Sequence, residues 1–281
     1  MSYKYVVALI TKWHIKLRYR KYCRNGARIG NVAFHNACHK ALLPGIKLLR
    51  MLRKKEFIVV DDKRENKNIT AIYACTHIGG FDIETLFEAI KNPCYLFLAD
   101  PREIYINFDG LLLWLNGVIC FESDNKKDRR IAKEKAIYLL KNGGSLMIFP
   151  EGAWNIYESL SVMPLFWGTA NIAIESKTPI IPVAIERYDE RYFVNIGKAI
   201  EVDKIKDINK SSLTNSLRDE MAALKWEIWE KQGGFLREDL KDSRESFLGQ
   251  MFHEKNTSVT IEDVLKTRYY PENFKKKTET S

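Results

Sequence analysis

A histidine and an aspartate five positions apart, in the stretch "CTHIGGFD", are the residues of this chain most suited to chemistry. The imidazole of a residue such as His77 has an ordinary pKa of about 6.5, so it can take up and return protons near neutral pH. A carboxylate on the other ring nitrogen, here that of Asp82, would fix the tautomer and orientation of such a base. Gly79 and Gly80 allow the tight turn that this requires. The spacing alone does not distinguish a reactive pair from an ordinary loop.

The elements that must position this pair alternate between strand and helix from residue 57 onward. Short apolar runs predict strands at "FIVVDD", "ITAIYAC", "CYLFLA", "GVICF", "SLMIF" and "IIPVAIE", and "RYFVNIG" alternates like a half-exposed strand. Helical spacing of apolar residues appears in "FDIETLFEAIKN", "NKKDRRIAKEKAIYLLKNGG" and "FWGTANIAIESK". The pattern predicts an α/β fold, with a mixed, largely parallel sheet flanked by helices. Ligands bind beyond the carboxyl ends of such strands, where "THIGGFD" and "PEGAWN" both lie.

The basic residues are concentrated at the N-terminus. Residues 1–55 hold fourteen Lys or Arg and no Asp or Glu, although the whole chain has 45 basic and 36 acidic residues. The remainder of the chain therefore carries a small net negative charge. A basic segment joined to a mildly acidic body predicts a polyanionic partner, either an anionic membrane surface or a nucleic acid.

Residues 1–56 predict a pair of basic amphipathic helices. "KWHIKLRYRKYCR" mixes aromatic and aliphatic residues with cations, and the apolar spacing of "VAFHNACHKALLPGIKLLRMLRKK" continues until Pro44 interrupts it. We expect these helices to bind an anionic membrane surface, although they could also only pack on the body. We expect no nucleic-acid partner, because no zinc finger or RNP motif is present. The uncharged stretches are shorter than the ~20 residues of a bilayer crossing, so we expect a peripheral protein on the cytoplasmic side.

We expect three parts in the chain: the helices of residues 1–56, an α/β domain over 57–203, and C-terminal helices with a polar tail over 204–281. "LTNSLRDEMAALKWEIWEKQ" predicts a helix that Gly233 and Gly234 end. Residues 235–281 show no reactive constellation.

Metal and redox chemistry are not predicted. The five cysteines are odd in number and lack metal or redox spacing, which is typical of reduced thiols in a cytosolic protein. His35 and His39 are four apart but have no neighbouring Glu and no obvious third ligand. We therefore expect no metal and no cofactor.

Four sequence blocks together resemble a known family. "HIGGFD", "GVICF", "FPEG" and "IIPVAI" follow one another in an order and spacing similar to those of the glycerolipid acyltransferases, which include the 1-acylglycerol-3-phosphate acyltransferases. The stretch "ADPREIYINFDGLLLWLNGVICF" also resembles the approach to that family's second motif. The H-x4-D signature falls on His77 and Asp82, and the F-P-E-G signature falls on residues 149–152. The resemblance covers about residues 70–200.

The resemblance implies direct transfer of a fatty acyl chain from acyl-CoA or acyl-carrier protein to the hydroxyl of a lysophospholipid or a similar lipid-like acceptor. His77 would be the general base and Asp82 would orient it. The implied substrate-binding residues are Gly79, Gly80, Phe149, Pro150, Glu151 and Gly152. Glu151 would help to hold the acceptor, Gly152 would let the backbone come close, and the amides of the first two glycines could face developing negative charge.

The chain departs from the family pattern where the resemblance implies cations around the acceptor phosphate. These positions hold Ser123, Trp154, Phe166 and Trp167. Arg129 and Arg130, or Lys126 and Lys127, could supply the missing charge. Alternatively, the two tryptophans could face a neutral headgroup or simply be buried.

Two other functions remain open. The same dyad could let water attack the acyl donor, which would give a thioesterase. The chain could also be a non-catalytic basic protein that binds lipid or nucleic acid.

Overall fold

The structure is a computed structural model that describes residues 3–99, 108–156, 160–188 and 190–232. The expectations for Gly233, Gly234 and residues 235–281 lie outside these residues, as does most of the stretch before "FDGLLLWLN".

One sheet organises the described part of the chain. Its seven strands lie in the order β1-β7-β6-β2-β5-β3-β4. The bounds are β1 Glu56–Asp62, β2 Ile72–Cys75, β3 Cys94–Ala99, β4 Val118–Phe121, β5 Ser145–Ile148, β6 Ile180–Tyr188 and β7 Arg191–Ile196. Neighbouring strands are parallel except β6 and β7, which are antiparallel. The predicted α/β fold with a mixed, largely parallel sheet is thus confirmed.

Helices cover both faces of the sheet. They are α1 Tyr3–Asn25, α2 Val32–Leu52, α3 Asp82–Ile90, α4 Phe108–Asn116, α5 Lys126–Lys141, α6 Gly168–Ser176 and α7 Lys210–Gln232. Side chains alternate across each strand. On β2, Tyr73 packs in the core that contains α3, whereas Ile72 packs in the core of α5, α6 and α7.

The two N-terminal helices pack against the body. In α1, Arg18 Nη2 donates to the buried Asp128 Oδ2 at 2.6 Å, and Tyr22 pairs with Glu134. In α2, His39 Nδ1 lies 2.7 Å from Asn116 Oδ1 in α4. The helices expected for residues 1–56 are therefore present. Their role at a membrane stays a prediction, as does the three-part division of the chain.

Three local predictions were wrong. Pro44 does not interrupt α2, which continues through it to Leu52, because packing of that helix on α3 and α4 compensates for the lost hydrogen bond. β7 is buried rather than half-exposed, since it lies between β1 and β6. β1 is an edge strand with exposed Ile58 and Val59, not a buried one.

None of the helices in the described ranges is both long enough and apolar enough to cross a bilayer.

Candidate active site

His77 and Asp82 meet at the carboxyl end of β2. His77 Nδ1 lies 2.7 Å from Asp82 Oδ2. The same oxygen accepts the backbone N–H groups of Ile78 at 3.1 Å and Gly79 at 2.9 Å. A carboxylate oxygen that accepts two amides is an acceptor for the ring as well, so Nδ1 carries the proton. The other ring nitrogen, Nε2, is then unprotonated in the neutral ring and can act as a base.

Two glycines with positive φ make this hydrogen-bonding pattern possible. Gly79 has φ +82° and Gly80 has φ +64°, which is the left-handed region that other residues rarely adopt. The turn reverses the chain direction, so that Asp82, the first residue of α3, faces the imidazole ring of His77. The helix N-terminus also favours a carboxylate at this position. Because the Gly79 amide donates to Asp82, the geometry does not support the expected role for this amide at a developing negative charge.

Aromatic rings hold the imidazole in place. The ring of Phe149 stacks on that of His77, with centroids 4.0 Å apart and 20° between the planes. Trp154 meets the imidazole edge-on at 6.0 Å. The His77 side chain remains 14% exposed, whereas that of Asp82 is 2% exposed. The base is therefore accessible while the carboxylate that orients it is shielded.

Glu151 joins the two loops of the site. It is fully buried, and its Oε1 accepts the backbone N–H of His77 at 3.1 Å. Its Oε2 accepts the backbone N–H of Met163 at 2.8 Å. Burial raises the pKa of this carboxyl, while the positive charge of Lys225 and the two amides lower it, and the net shift is upward. These two hydrogen bonds of Glu151 position the loop that carries His77. The expected contact of Glu151 with the acceptor stays a prediction.

The rest of the F-P-E-G loop forms a tight turn. The Gly152 amide donates to Phe149 O at 3.0 Å, and Gly152 has φ +72°. Pro150 O accepts the amide of Phe166 at 2.9 Å. The Asn155 amide donates to His77 O at 2.7 Å, which is a second link between the two loops. The structure thus brings together the H-x4-D and F-P-E-G segments, which are separated by about 70 residues in sequence.

The antiparallel hairpin of β6 and β7 packs against the other side of the loop that carries His77. Tyr192 Oη accepts the amide of Phe81 at 3.2 Å. A Cβ on Gly80 would lie 3.0 Å from the same oxygen, so only glycine fits there without displacement. Arg187 lies over the Tyr192 ring, 5.6 Å from its centroid. Sequence reasoning missed this support, because "RYFVNIG" carries no signal for a contact with residues 80 and 81.

Arg129 and Arg130 lie at the start of α5, beyond the edge strand β4. Arg129 Nη1 donates to Ser123 O, and the Arg130 side chain, 63% exposed, lies 3.8 Å from Glu134. β4 is the third strand from β2, which corresponds to roughly 14 Å at the usual strand spacing. The structure therefore does not place these arginines against the dyad, and their role towards an acceptor stays a prediction.

No group of three or more His, Cys, Asp or Glu side chains suited to hold a metal ion occurs among the residues with described positions. His35 and His39 instead use Nδ1 on Leu115 O, at 3.0 Å, and on Asn116 Oδ1, which joins α2 to α4.

Comparison with known proteins finds a similarity to acyltransferases. Residues 56–186 match the family model described as Acyltransferase. The chain is thus similar to acyltransferases over that segment. The matched segment runs from β1 into β6, so it contains the dyad and the F-P-E-G loop.

Two bacterial proteins similar to this chain carry the same name, 1-acyl-sn-glycerol-3-phosphate acyltransferase. The protein of Borreliella burgdorferi is 24% identical over 188 residues, which cover 63% of this chain and 74% of the relative. That of Haemophilus influenzae is 26% identical over 182 residues, with the same 63% and 74% coverage. The fold is similar to the crystal structure of the 1-acyl-sn-glycerophosphate (LPA) acyltransferase PlsC from Thermotoga maritima. The TM-score is 0.55 at 15% identity, over 83% of this chain and 97% of that one.

Three of the four positions where the resemblance implies a cation differ from one another in their surroundings. Ser123 is buried in the turn between β4 and α5, and Trp154 packs against Gly79 beside the imidazole. Trp167 is 52% exposed, and Lys210 Nζ lies 4.3 Å from its ring centroid. A lysine from α7 thus brings a cation close to one of the substituted positions.

Proposed function

We propose that the protein is an O-acyltransferase that moves a fatty acyl chain from acyl-CoA or acyl-carrier protein to a hydroxyl of a lysophospholipid or a related lipid-like acceptor. The observation that carries this proposal is the hydrogen bond between His77 Nδ1 and Asp82, which leaves Nε2 as the base on a ring that Phe149 and Trp154 hold. The match to the Acyltransferase family model and the names of the relatives support acyl transfer to a lipid acceptor.

The chemistry follows from this geometry. His77 Nε2 takes the proton of the acceptor hydroxyl while the oxygen attacks the thioester carbonyl. The tetrahedral intermediate collapses, the C–S bond breaks, and the imidazolium returns the proton to the departing thiolate. Asp82 stabilises the imidazolium in between. The step needs no serine or cysteine nucleophile and no cofactor, because the acyl group passes directly to the acceptor.

The site supports a broader acceptor class than lysophosphatidate. The positions where the resemblance implies cations hold Ser123, Trp154, Phe166 and Trp167. These neutral side chains cannot bind a phosphate through two parallel hydrogen bonds, as an arginine guanidinium does. Lys210 beside Trp167, or Arg129 and Arg130 on the β4 side, would have to bind a phosphate. The acceptor is therefore assigned only as a lipid-like alcohol.

We also propose that the protein acts as a peripheral enzyme on an anionic membrane surface, at the cytoplasmic face. Large apolar side chains are exposed on three helices that lie in or beside the basic N-terminal segment: Val6, Leu9, Trp13 and Leu17 on α1, Phe34, Leu48, Leu49, Met51 and Leu52 on α2, and Leu111 and Trp114 on α4. Those of α1 recur at helical spacing on one face. Such apolar side chains among lysines and arginines suit the headgroup region of a bilayer.

The test is transfer of a labelled acyl chain from acyl-CoA and from acyl-carrier protein to a panel of lyso-lipids, with and without phosphate. His77→Gln is expected to lower kcat by about 10²–10⁴, because the base is lost while the ring pocket stays filled. Asp219→Asn, at an exposed position of α7, is the control and is expected to keep wild-type transfer. Equal transfer by the wild type and His77→Gln would refute the assignment. Loss of donor without any acylated lipid would instead indicate a thioesterase.

A further inference from the structure

The loop that leads from β2 into α3, and carries the base, is bound to the hairpin of β6 and β7 at both of its ends. At its start, Thr76 Oγ1 accepts the backbone N–H of Ile185 in β6 at 2.9 Å. At its end, the backbone N–H of Phe81 donates to Tyr192 Oη in β7 at 3.2 Å. Asp82 directly follows Phe81, so this second hydrogen bond lies next to the carboxylate that orients the base.

The second hydrogen bond holds the start of α3 from outside the helix. Phe81 is the N-cap residue of α3, and its side chain has no oxygen or nitrogen that could cap the helix. In a capping box, a side chain from the first turn of the same helix accepts the N–H of the N-cap residue. Here a hydroxyl of β7 accepts that N–H. The contact therefore fixes the first turn of α3 relative to the sheet, which a cap from within the helix would not do.

The hydroxyl of Tyr192 is held firmly enough to act as a fixed point. Tyr192 is 0% exposed, and its strand lies between β1 and β6, where it pairs with Phe57 and Arg187. The Arg187 guanidinium also lies 5.6 Å from the centroid of the tyrosine ring. A Cβ on Gly80 would lie 3.0 Å from the hydroxyl oxygen, so the backbone of the loop packs directly against it.

We propose that Tyr192 is a positioning residue of the acyl-transfer site, whose hydroxyl holds the first turn of α3, and with it Asp82, in the place where the carboxylate orients the His77 ring. The proposal rests on the proposed function, because this orientation affects transfer only if His77 is the base. Tyr192 acts through the backbone of the loop and is not a catalytic residue. It lies beyond residue 186, where the match to the Acyltransferase family model ends.

Tyr192→Phe tests the proposal, because it removes the hydroxyl and keeps the ring. Acyl transfer is the assay. We expect kcat to fall about tenfold, since a small displacement of a catalytic group has a large effect on the rate. We expect the KM values for donor and acceptor to stay within about twofold of the wild type, because the variant leaves the substrate contacts in place.

Tyr73→Phe is the matched control. Tyr73 is also 0% exposed and lies in the same part of the core, but its Oη accepts Asn92 Nδ2 at 3.0 Å, just beyond the other end of α3. We expect it to lower the urea midpoint of unfolding about as much as Tyr192→Phe and to keep the wild-type kcat. An equal decrease of kcat in the two variants would mean a merely structural role and would overturn the proposal.

A second readout does not depend on activity. In full-length protein labelled with ¹⁵N-histidine, NMR follows the exchange with water of the proton on His77 Nδ1, whose signal is assigned by its absence in His77→Gln. We expect this exchange to be about tenfold faster in Tyr192→Phe and unchanged in Tyr73→Phe. An unchanged rate in Tyr192→Phe would overturn the proposal. If the wild type transfers no acyl chain, the proposed function fails, whereas the exchange rates still decide whether Tyr192 positions the dyad.

Gly80→Ala carries the test if Tyr192→Phe does not fold. Its new methyl group would press on the tyrosine hydroxyl and displace the loop, so we expect kcat to fall about tenfold. Gly143→Ala controls for the left-handed backbone, since Gly143 has φ +80° and no atom of a described residue lies within 4 Å of its Cβ position. This control is expected to keep the wild-type kcat. A wild-type kcat in Gly80→Ala would overturn the proposal.

Discussion

At the scale of single residues, the two carboxylates of the site differ in what they orient. Asp82 uses one oxygen for the imidazole and for two amides of its own turn, so it fixes the ring relative to the start of α3. Glu151 binds no side chain through these hydrogen bonds and instead fixes two backbone segments relative to each other. The base is thus held twice, once through its ring and once through its own amide.

Gly79 offers a test of this arrangement. A Cβ there would lie 3.0 Å from the Trp154 ring in a backbone with φ +82°. We expect Gly79→Ala to lose about 1–2 kcal/mol of stability from the left-handed conformation alone, with a further loss from the contact with the ring. We also expect lower kcat, because Trp154 would have to move away from the imidazole.

Gly143 is the matched control for that variant. It has φ +80°, and no atom lies within 4 Å of the position that a Cβ would take there. Gly143→Ala should therefore show the conformational loss and keep full kcat. Urea unfolding and steady-state transfer are the measurements. Equal stability losses with unchanged kcat in both variants would show that Trp154 does not constrain the site.

At the scale of elements, Asp62 and Arg64 connect the end of β1 to the end of α3. Arg64 Nε and Nη2 bind the two Asp62 oxygens at 2.7 and 2.8 Å, and its Nη1 donates to Ile90 O at 3.1 Å. Burial opposes ionisation of Asp62, but the hydrogen bonds from Arg64 and Lys67 outweigh it and lower the pKa of this carboxyl below its ordinary value.

A lowered pKa in the folded state means stability that is present above the ordinary aspartate pKa and is lost as the pH falls below it. We expect Asp62→Asn to lose about 2 kcal/mol at neutral pH. The loss should shrink as the pH falls below about 4, where protonation of the unfolded chain reduces the stability that the pair gives the wild type. Urea unfolding between neutral and acidic pH measures this difference. Asp219→Asn, at an exposed position of α7, is the control with a change under about 0.5 kcal/mol. A pH-independent loss in Asp62→Asn would refute the linkage.

The elements of the α/β domain were predictable where a local pattern decides them. The apolar runs and helical spacing predict the strands from β2 to β6 and helices α3, α5 and α6, with boundaries shifted by a few residues. The burial of β7 and the exposure of β1 depend on the order of the strands in the sheet. The local sequence of neither strand specifies that order. α2 continues through Pro44 because of tertiary packing, which overrides the local preference.

The same distinction applies to the site. His77, Asp82 and the F-P-E-G loop belong to short motifs, so a resemblance could point to them. Tyr192 acts through a contact with a position far away in the chain, and the run that contains it shows only the pattern of a strand. Its placement required the structure.

At the scale of the whole molecule, Trp13 tests the proposed membrane surface. Trp13 and Trp226 are exposed to nearly the same degree, 59% and 58%, but they lie on the basic helix α1 and on α7 respectively. We expect Trp13→Ala to weaken binding to vesicles that contain anionic lipid about tenfold, because an indole ring leaves the headgroup region. Co-sedimentation at low and high salt is the measurement. Trp226→Ala is expected to bind like the wild type, and an equal loss in both variants would exclude α1 as the contact surface.

The pairing of β1 with β7 sets an order for biosynthesis. Glu56 pairs with Arg191, so the first strand of the sheet must wait for about 130 further residues before its partner exists. At translation rates of about 5–20 residues per second, this takes on the order of ten seconds. The N-terminal helices leave the ribosome before that interval begins. A nascent chain that stops at residue 186, where the family match ends, exposes the open edges of both β1 and β6 to other chains. We therefore expect the last strand to protect the growing protein from aggregation as well as to complete the wall around Gly80.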